Sequence, residues 1–164
     1  MGSETTAAAG APVGKVRRDP MAMLPFCGYN MGDYFRHWIS MQRTLTYTPR
    51  IFHVNWFRKD AAGKFLWPGY GENMRILKWV VDRIHGHANG EETAIGWVPF
   101  FEDINWQGLD IPRDELREIF NQLQHINPDA WKREVMDHEE LFIALHNRLP
   151  AQLVYERELL ICRL

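Results

Sequence analysis

The chain has 164 residues, of which 46% are hydrophobic and 24% are charged. This length and composition predict one globular domain with its own core and exclude wholesale disorder. The net charge is −2, and acidic and basic residues alternate along the chain instead of forming the clustered basic face typical of nucleic-acid binders. We therefore expect no nucleic-acid partner.

Cysteine content and hydropathy indicate the cellular compartment in which the protein is expected. Two cysteines, Cys27 and Cys162, provide neither a disulfide framework nor a zinc quartet, as is common in a reducing environment. No apolar run is long enough to cross a bilayer, and the N-terminal stretch lacks the apolar segment of a signal peptide. We expect a cytoplasmic protein that has no membrane partner.

The first 41 residues divide into a loop and a helix. Residues 1–20 are rich in Ala, Gly, Thr and Pro, so they cannot bury enough apolar surface to offset the entropy of ordering. We predict a mobile loop over residues 1–20, followed over residues 21–164 by a folded region that belongs to one domain. From Met31 onward, apolar side chains at helical spacing predict a helix; they are Tyr34, Phe35, Trp38, Ile39 and Met41.

The middle of the chain predicts a strand followed by a helix. Residues 50–57 alternate and are rich in β-branched and aromatic side chains, which favours a strand inside a sheet. Two turns separated by a short extended piece follow. Residues 73–86 then predict an amphipathic helix, with Asn73 as its N-cap and Gly86 as its C-terminal stop.

The last third of the chain is predicted to be mainly helical. A loop and a short extended segment occupy residues 89–100. From residue 112 onward, three amphipathic segments each begin with a proline and a polar or acidic first turn, as helix N-termini prefer.

Aromatic residues cluster between residues 55 and 73, in the stretch NWFRKDAAGKFLWPGYGEN. A turn at Gly63 would fold together the segments that carry Trp56, Phe57, Phe65, Trp67 and Tyr70. Facing rings can sandwich a purine base, and such stacking contributes about 1–3 kcal/mol per base. Gly69 and Gly71 would let the backbone approach the base, and the amide of Asn73 suits a guanine edge. The same rings could also cap the core, and the residues alone leave both interpretations open.

Other reactive residues form no complete catalytic set. His85 and His87 lie near Asp82, but no third metal ligand follows at a fixed spacing, and histidines at a helix C-terminus also favour the helix dipole. The carboxylates of residues 137–140 are typical of a solvated helix face, and residues 16–19 (VRRD) suit either a phosphate contact or a solvated loop. Cys27 has no adjacent basic partner. The chain contains no GxxxxGK[ST], GxSxG or HExxH motif.

Longer blocks of the sequence resemble a known family. The blocks are GSETTAAA, DPMAMLPFCGYNMGDYFRHWISM and RIFHVNWFRKDAAGKFLWPGYGENMRILKWVVDRI. They are similar to the C-terminal portion of GTP-dependent phosphoenolpyruvate carboxykinases from residue 2 to about residue 98. The GYN, VNWF and PG[FY]GEN motifs are specific to that family, whereas residues 100–164 match more by helical character.

The resemblance implies a fold and an activity. The fold would be α/β, as part of the C-terminal nucleotide-binding domain, with a helical C-terminal tail. The family converts oxaloacetate and GTP to phosphoenolpyruvate, CO2 and GDP at the entry to gluconeogenesis. Implied cofactors are GTP or GDP, Mn²⁺, and Mg²⁺ with the nucleotide; the full-length enzyme would be monomeric.

The resemblance also implies residue roles. The guanine base would be bound by Trp56, Phe57, Phe65, Tyr70, Gly71, Glu72 and Asn73. A mobile lid would close over the substrates, formed by Glu4, Thr5, Thr6, Ala7, Ala8, Ala9, Gly10 and Gly14.

The family's phosphate loop and its metal and oxaloacetate ligands do not match positions of this chain. We therefore expect no catalytic residue and no metal ligand within it, and no catalysis by the chain alone. The alternative is a non-catalytic purine-nucleotide-binding or interaction module from a truncated gene.

Overall fold

The computed structural model describes residues 23–164, which form two compact units. In the described part, one unit joins residues 23–48 to residues 128–164, and the other is residues 49–127. The described residues form five α-helices and two β-strands: α1 (Met31–Thr44), α2 (Asn73–Ile84), β1 (Glu91–Thr93), β2 (Gly96–Val98), α3 (Arg113–Gln124), α4 (Pro128–Leu145) and α5 (Ala151–Arg163). The predicted loop at 1–20 lies outside the described residues, so the predicted division at residue 20 stays a prediction.

Helix α1 begins at a side-chain cap. The Oδ1 atom of Asn30 accepts a hydrogen bond from the backbone N–H of Gly32 at 2.8 Å, which satisfies one of the free N–H groups of the first turn. The helix predicted from Met31 is therefore confirmed. Met31 is buried, whereas Trp38, from the predicted apolar face, is 37% exposed.

The three predicted C-terminal helices are confirmed as α3, α4 and α5. Pro112 and Pro150 are the N-caps of α3 and α5, and Pro128 is the first residue of α4. A proline suits these positions because its fixed φ is helical and its missing N–H would have no partner in the first turn. Between α4 and α5, His146 has a φ of 48°, in the left-handed region.

The start of helix α2 differs from the prediction. Its N-cap is Glu72, and Asn73 is the first helical residue. Asn73 was predicted to be the cap, and that prediction is wrong. The side chain of Asn73 is instead bound by the indole N–H of Trp67, which donates to its Oδ1 at 2.8 Å.

The predicted stop at the end of α2 is confirmed. Gly86 has a φ of 77°, which costs a glycine little. The backbone N–H of Gly86 donates to the carbonyl of Arg83 at 3.3 Å, and that of His87 donates to the carbonyl of Asp82 at 2.8 Å. This pair of bonds is the Schellman motif, which satisfies carbonyl groups of the last turn.

The extended segment predicted within residues 89–100 forms a small antiparallel hairpin. Strands β1 and β2 pair with Glu91 opposite Val98 and Thr93 opposite Gly96. The hydroxyl of Thr93 also donates to the carbonyl of Gly96 at 2.6 Å, which closes the turn. This is the sheet of the described residues.

The strand predicted at residues 50–57 is not formed. Side chains there alternate between exposed and partly buried, as the period of two predicts, and Phe52 packs edge-on against Trp79 with ring centroids 6.0 Å apart. The prediction fails on hydrogen bonding, because within the described residues no second strand lies beside this segment. An extended chain becomes a strand only when a neighbour completes the ladder.

The core of the 49–127 unit is aromatic. Its buried members are Trp79, Phe101, Ile104, Leu116 and Phe120. Partly buried Trp106 packs against this cluster, with its ring 5.3 Å from that of Phe101 and 5.7 Å from that of Phe120. Burying one such side chain contributes roughly 1.5–3 kcal/mol.

The described residues are helix-rich with one two-stranded sheet, which is compatible with the predicted α/β class. Among residues 23–164, no helix has the length and apolarity that crossing a bilayer requires.

Candidate functional site

A tight turn brings two aromatic segments of the 49–127 unit together. Its centre is Asp60, whose Oδ1 accepts hydrogen bonds from the backbone N–H groups of Ala62 and Lys64, both at 2.9 Å. The N–H of Asp60 donates in turn to the carbonyl of Lys64 at 2.9 Å. Gly63 has a φ of 80°, which most other residues adopt only with strain. The chain therefore reverses at residues 60–64, as predicted.

The turn places Phe57 beside Phe65. The N–H of Leu66 donates to the carbonyl of Arg58 at 2.9 Å and ties the two arms together. The rings of Phe57 and Phe65 have centroids 6.2 Å apart and planes at 67°, an edge-to-face contact. The ammonium of Lys59 lies 4.9 Å from the Phe65 centroid, a cation–π distance.

Two tryptophans lie deeper than these phenylalanines. The rings of Trp56 and Trp67 have centroids 5.6 Å apart, and Trp67 lies 6.5 Å from Trp106, which packs on the core. Trp67 is 6% exposed, so it belongs to the buried interior. The interpretation that the rings cap the core therefore describes Trp67 but not Phe57 and Phe65, which are 56% and 50% exposed.

A second turn brings Tyr70 and Asn73 close to these aromatic rings. Gly69 has a φ of 139°, and residues Tyr70–Glu72 form one 3-10 turn that leads into α2. Tyr70 is 92% exposed. Asn73 is fixed by the hydrogen bond from Trp67.

These segments enclose a cleft of about 830 Å³. That volume falls in the range of small-molecule sites. The lining is largely apolar, with Lys64 and Asn73 as charged and amide groups, and consists of Trp56, Phe57, Lys64, Phe65, Trp67, Pro68, Gly69, Tyr70, Asn73 and Ile111.

Five of the predicted guanine-binding residues line this cleft: Trp56, Phe57, Phe65, Tyr70 and Asn73. Gly71 and Glu72 are not among the lining residues. The carboxylate of Glu72 accepts a hydrogen bond from Nε of Arg75 at 2.5 Å, one turn along the chain. The predicted lid residues, and residues 16–19, lie outside the described residues.

Lys64 and Ile111 belong to the cleft but were not predicted. Lys64 could have been found, because it directly precedes Phe65 at the end of the turn. Ile111 lies far along the chain from the rings and reaches the cleft through the packing of the core, so no local pattern identifies it.

The other reactive side chains form no second site. The rings of His85 and His87 have centroids 6.0 Å apart, but among residues 23–164 no three His, Cys, Asp or Glu side chains are grouped to hold a metal ion. The thiol of Cys27 donates to the carbonyl of Tyr29 at 3.3 Å. In residues 137–140, Glu139 pairs with Arg157 at 3.3 Å.

Comparison with known proteins defines the class. Residues 1–163 match the family described as the phosphoenolpyruvate carboxykinase C-terminal P-loop domain. The chain belongs to this family.

Curated relatives agree with that assignment. The chain is 50% identical over 163 residues to phosphoenolpyruvate carboxykinase [GTP] of Anaeromyxobacter dehalogenans (strain 2CP-C), which covers 99% of this chain and 27% of that relative. It is 47% identical over 168 residues to the protein of the same name from Treponema pallidum (strain Nichols), covering 100% of this chain and 26% of the relative. The corresponding protein of Thermoplasma volcanium is 45% identical over 159 residues, covering 97% of this chain and 26% of the relative. The chain spans about a quarter of the length of these relatives.

Proposed function

We propose that this chain is the guanine-binding portion of a GTP-dependent phosphoenolpyruvate carboxykinase. The complete enzyme would convert oxaloacetate and GTP to phosphoenolpyruvate, CO2 and GDP. Family membership supports this assignment, as does the name that the curated relatives share. The chain would form part of the C-terminal nucleotide-binding domain, with α3 to α5 as its helical tail.

The proposal rests on one observation: the exposed rings of Phe57 and Phe65 lie beside the side-chain amide of Asn73. Phe57 and Phe65 are half-exposed in the cleft that Asn73 also lines. The two rings touch edge to face and leave no gap between them for a base. A guanine would therefore stack on this pair, with Tyr70 on its other side and Asn73 at its edge. Lys64 would place a positive charge near the phosphates.

The lid and two further residues complete the proposal. Gly71 and Glu72 lie next to Tyr70 in the chain and would support the base through the backbone of the 3-10 turn. Residues 4–14, predicted to form the lid, would close over bound substrates. Closure of this kind excludes water from a reactive enolate.

The metals implied by the family have no fitting ligands in the described residues. No group of three His, Cys, Asp or Glu side chains lies together between residues 23 and 164. The complete enzyme would supply those ligands, and we expect it to be cytoplasmic and monomeric.

Tryptophan fluorescence of the purified chain tests the proposal. Trp56 and Trp67 line the cleft, so a stacked base should quench them. We expect saturable quenching by GDP and little by ADP. Equal quenching by both nucleotides would favour the alternative function, a purine-binding module that does not distinguish guanine from adenine. No response to either would contradict a guanine site in this chain.

A further inference from the structure

One hydrogen bond fixes the orientation of the Asn73 side chain. The indole Nε1–H of Trp67 donates to the amide oxygen of Asn73 at 2.8 Å. An indole N–H only donates, so it pairs with the oxygen of the amide and not with the NH2 group. The flipped amide would place two donors against each other, and Trp67 therefore selects one of the two orientations.

Both partners of this bond are held in place. Trp67 is 6% exposed and packs between Trp56 and Trp106, with ring centroids at 5.6 Å and 6.5 Å. Asn73 is the first residue of α2, and its backbone N–H donates to the carbonyl of Tyr70. The bond therefore joins a buried ring to the start of a helix.

The bond occupies one of the two lone pairs of the Asn73 amide oxygen and leaves both N–H donors of the NH2 group unused. Within the described residues, no acceptor takes a hydrogen bond from this group, and Asn73 lines the cleft. Guanine carries the acceptor O6 where adenine carries a donor NH2 group. A fixed donor therefore favours guanine and opposes adenine.

We propose that Trp67 is a positioning residue that sets the base preference of the cleft, by holding Asn73 with its NH2 group available to O6 of guanine. This inference rests on the proposed guanine site. Without the indole N–H, the amide can rotate and present its oxygen to the amino group of adenine. Discrimination between GDP and ADP then falls about tenfold, the worth of one hydrogen bond made with one base and lost with the other.

The substitution Trp67→Phe tests this role, because it keeps an aromatic ring and removes the N–H. Affinities of the full chain for GDP and ADP are measured by isothermal titration calorimetry. We expect the ratio of the two dissociation constants to shrink about tenfold. A purely structural role would weaken both nucleotides equally and leave the ratio unchanged, which would overturn the inference.

The matched control is Trp79→Phe. Trp79 is 4% exposed, and its indole N–H donates to the carbonyl of Asn89 at 3.1 Å. The substitution Trp79→Phe removes a similar ring area and a similar hydrogen bond from the core, away from Asn73. The GDP:ADP ratio should stay at the wild-type value, and a loss of preference as large as that of Trp67→Phe would count against the proposal.

The substitution Asn73→Asp reverses the polarity of the group. One carboxylate oxygen still accepts from Trp67, and the other presents an acceptor to the cleft. We expect ADP to be favoured over GDP. An acidic residue also suits the first turn of a helix, so α2 should be retained. In an Asn73→Ala chain, the further change Trp67→Phe should leave the ratio unaltered, because Trp67 acts through Asn73.

A measurement without nucleotide separates this inference from the proposed function. In the ¹H–¹⁵N spectrum, the indole resonance of Trp67 should move upfield on Asn73→Ala, since its acceptor is removed. An unmoved resonance would show that the bond is absent and would overturn the inference alone. If the resonance moves but the wild-type chain binds neither nucleotide, the proposed function fails, and the positioning role fails with it.

Discussion

Phe57 and Phe65 are half-exposed although phenylalanine side chains are usually buried in folded proteins. Their rings contribute little to the core and are available to a flat ligand. The exposure thus separates the residues that hold the unit together, such as Trp67, from those free to bind.

Replacing either exposed ring should therefore affect binding more than folding. For Phe57→Ala and Phe65→Ala we expect GDP affinity to fall by about 1–3 kcal/mol, the contribution of one stacked base. Calorimetry measures the affinity, and urea unfolding should show a small change in stability. Phe26→Ala is the control, since Phe26 is 74% exposed and belongs to the other unit. GDP affinity that is unchanged in both variants would mean that the rings do not contact the base.

Glu102 provides a residue-scale test that needs no ligand. A hydrogen bond from the guanidinium of Arg117, 2.7 Å away, lowers the pKa of the Glu102 carboxyl below its ordinary value of 4.5. A lowered pKa in the folded state means that the interaction is fully present above pH 4.5. It is lost as the pH falls through the lowered pKa.

The pH titration of the Glu102 side-chain carbon by NMR checks this. The midpoint should lie below 4.5 in the wild-type chain and rise in Arg117→Met, which keeps the aliphatic stem and removes the charge. An identical midpoint in both proteins would show that Arg117 has no influence on the carboxyl.

Residue-scale predictions from the sequence succeeded where chemistry is local. The turn at Asp60 to Lys64 follows from residue types that favour turns. The cap of α2 was mispredicted because the side chain of Asn73 is taken by Trp67, six positions earlier. Whether the Asn73 side chain caps the helix or accepts a hydrogen bond from Trp67 depends on tertiary packing. The order of residue types along the chain does not reveal that packing.

At the scale of elements, α1 meets the segment after α4 at Gly32. A Cβ atom added at Gly32 would lie 2.4 Å from the carbonyl oxygen and 2.8 Å from the carbonyl carbon of Arg148. Backbone atoms cannot move aside as a flexible side chain would. Helix propensity alone predicts that alanine is better than glycine by about 1 kcal/mol, so the two effects have opposite signs.

We expect the clash to win and Gly32→Ala to lower the free energy of unfolding by about 1–3 kcal/mol. Chemical denaturation of the two proteins measures the difference. The matched control is Gly28→Ala, where no atom lies within 4 Å of the added Cβ. A stabilised Gly32→Ala protein would mean that α1 and the segment of Arg148 do not approach so closely.

Helices were predicted better than the sheet. An amphipathic helix satisfies its own backbone, so periodicity and terminal prolines suffice to locate α3 to α5. Residues 50–57 have the alternation of a strand and also its pattern of burial, but a strand requires a partner. Within the described residues that partner is absent, and no local pattern reveals this.

At the scale of the whole molecule, the chain spans 27% of the length of its relative from Anaeromyxobacter dehalogenans. Its sequence lacks a GxxxxGK[ST] phosphate loop, and its described residues lack a metal-ligand group. The sequence blocks between residues 2 and 84 sufficed to predict the family. The cleft geometry, by contrast, depends on Ile111 and on the tilt of the rings, which only the structure reveals.

We predict that the purified chain forms no phosphoenolpyruvate from oxaloacetate and GTP with Mn²⁺ present. The sequence contains no GxxxxGK[ST] motif, so we expect no backbone cradle for the transferred phosphoryl group. A coupled assay for phosphoenolpyruvate checks this, with the complete relative from Anaeromyxobacter dehalogenans as the positive control. Formation of product above the blank would show that the chain carries more of the machinery than we assign to it.

The most direct test of the guanine site is the tryptophan indole region of the ¹H–¹⁵N spectrum during titration with GDP. Trp56 and Trp67 line the cleft, while Trp38 and Trp97 do not. We predict saturable shifts of the resonances of Trp56 and Trp67 with GDP, weaker shifts with ADP, and unmoved signals from Trp38 and Trp97. Shifts confined to Trp38 or Trp97, or no shifts at all, would contradict a guanine site in this cleft.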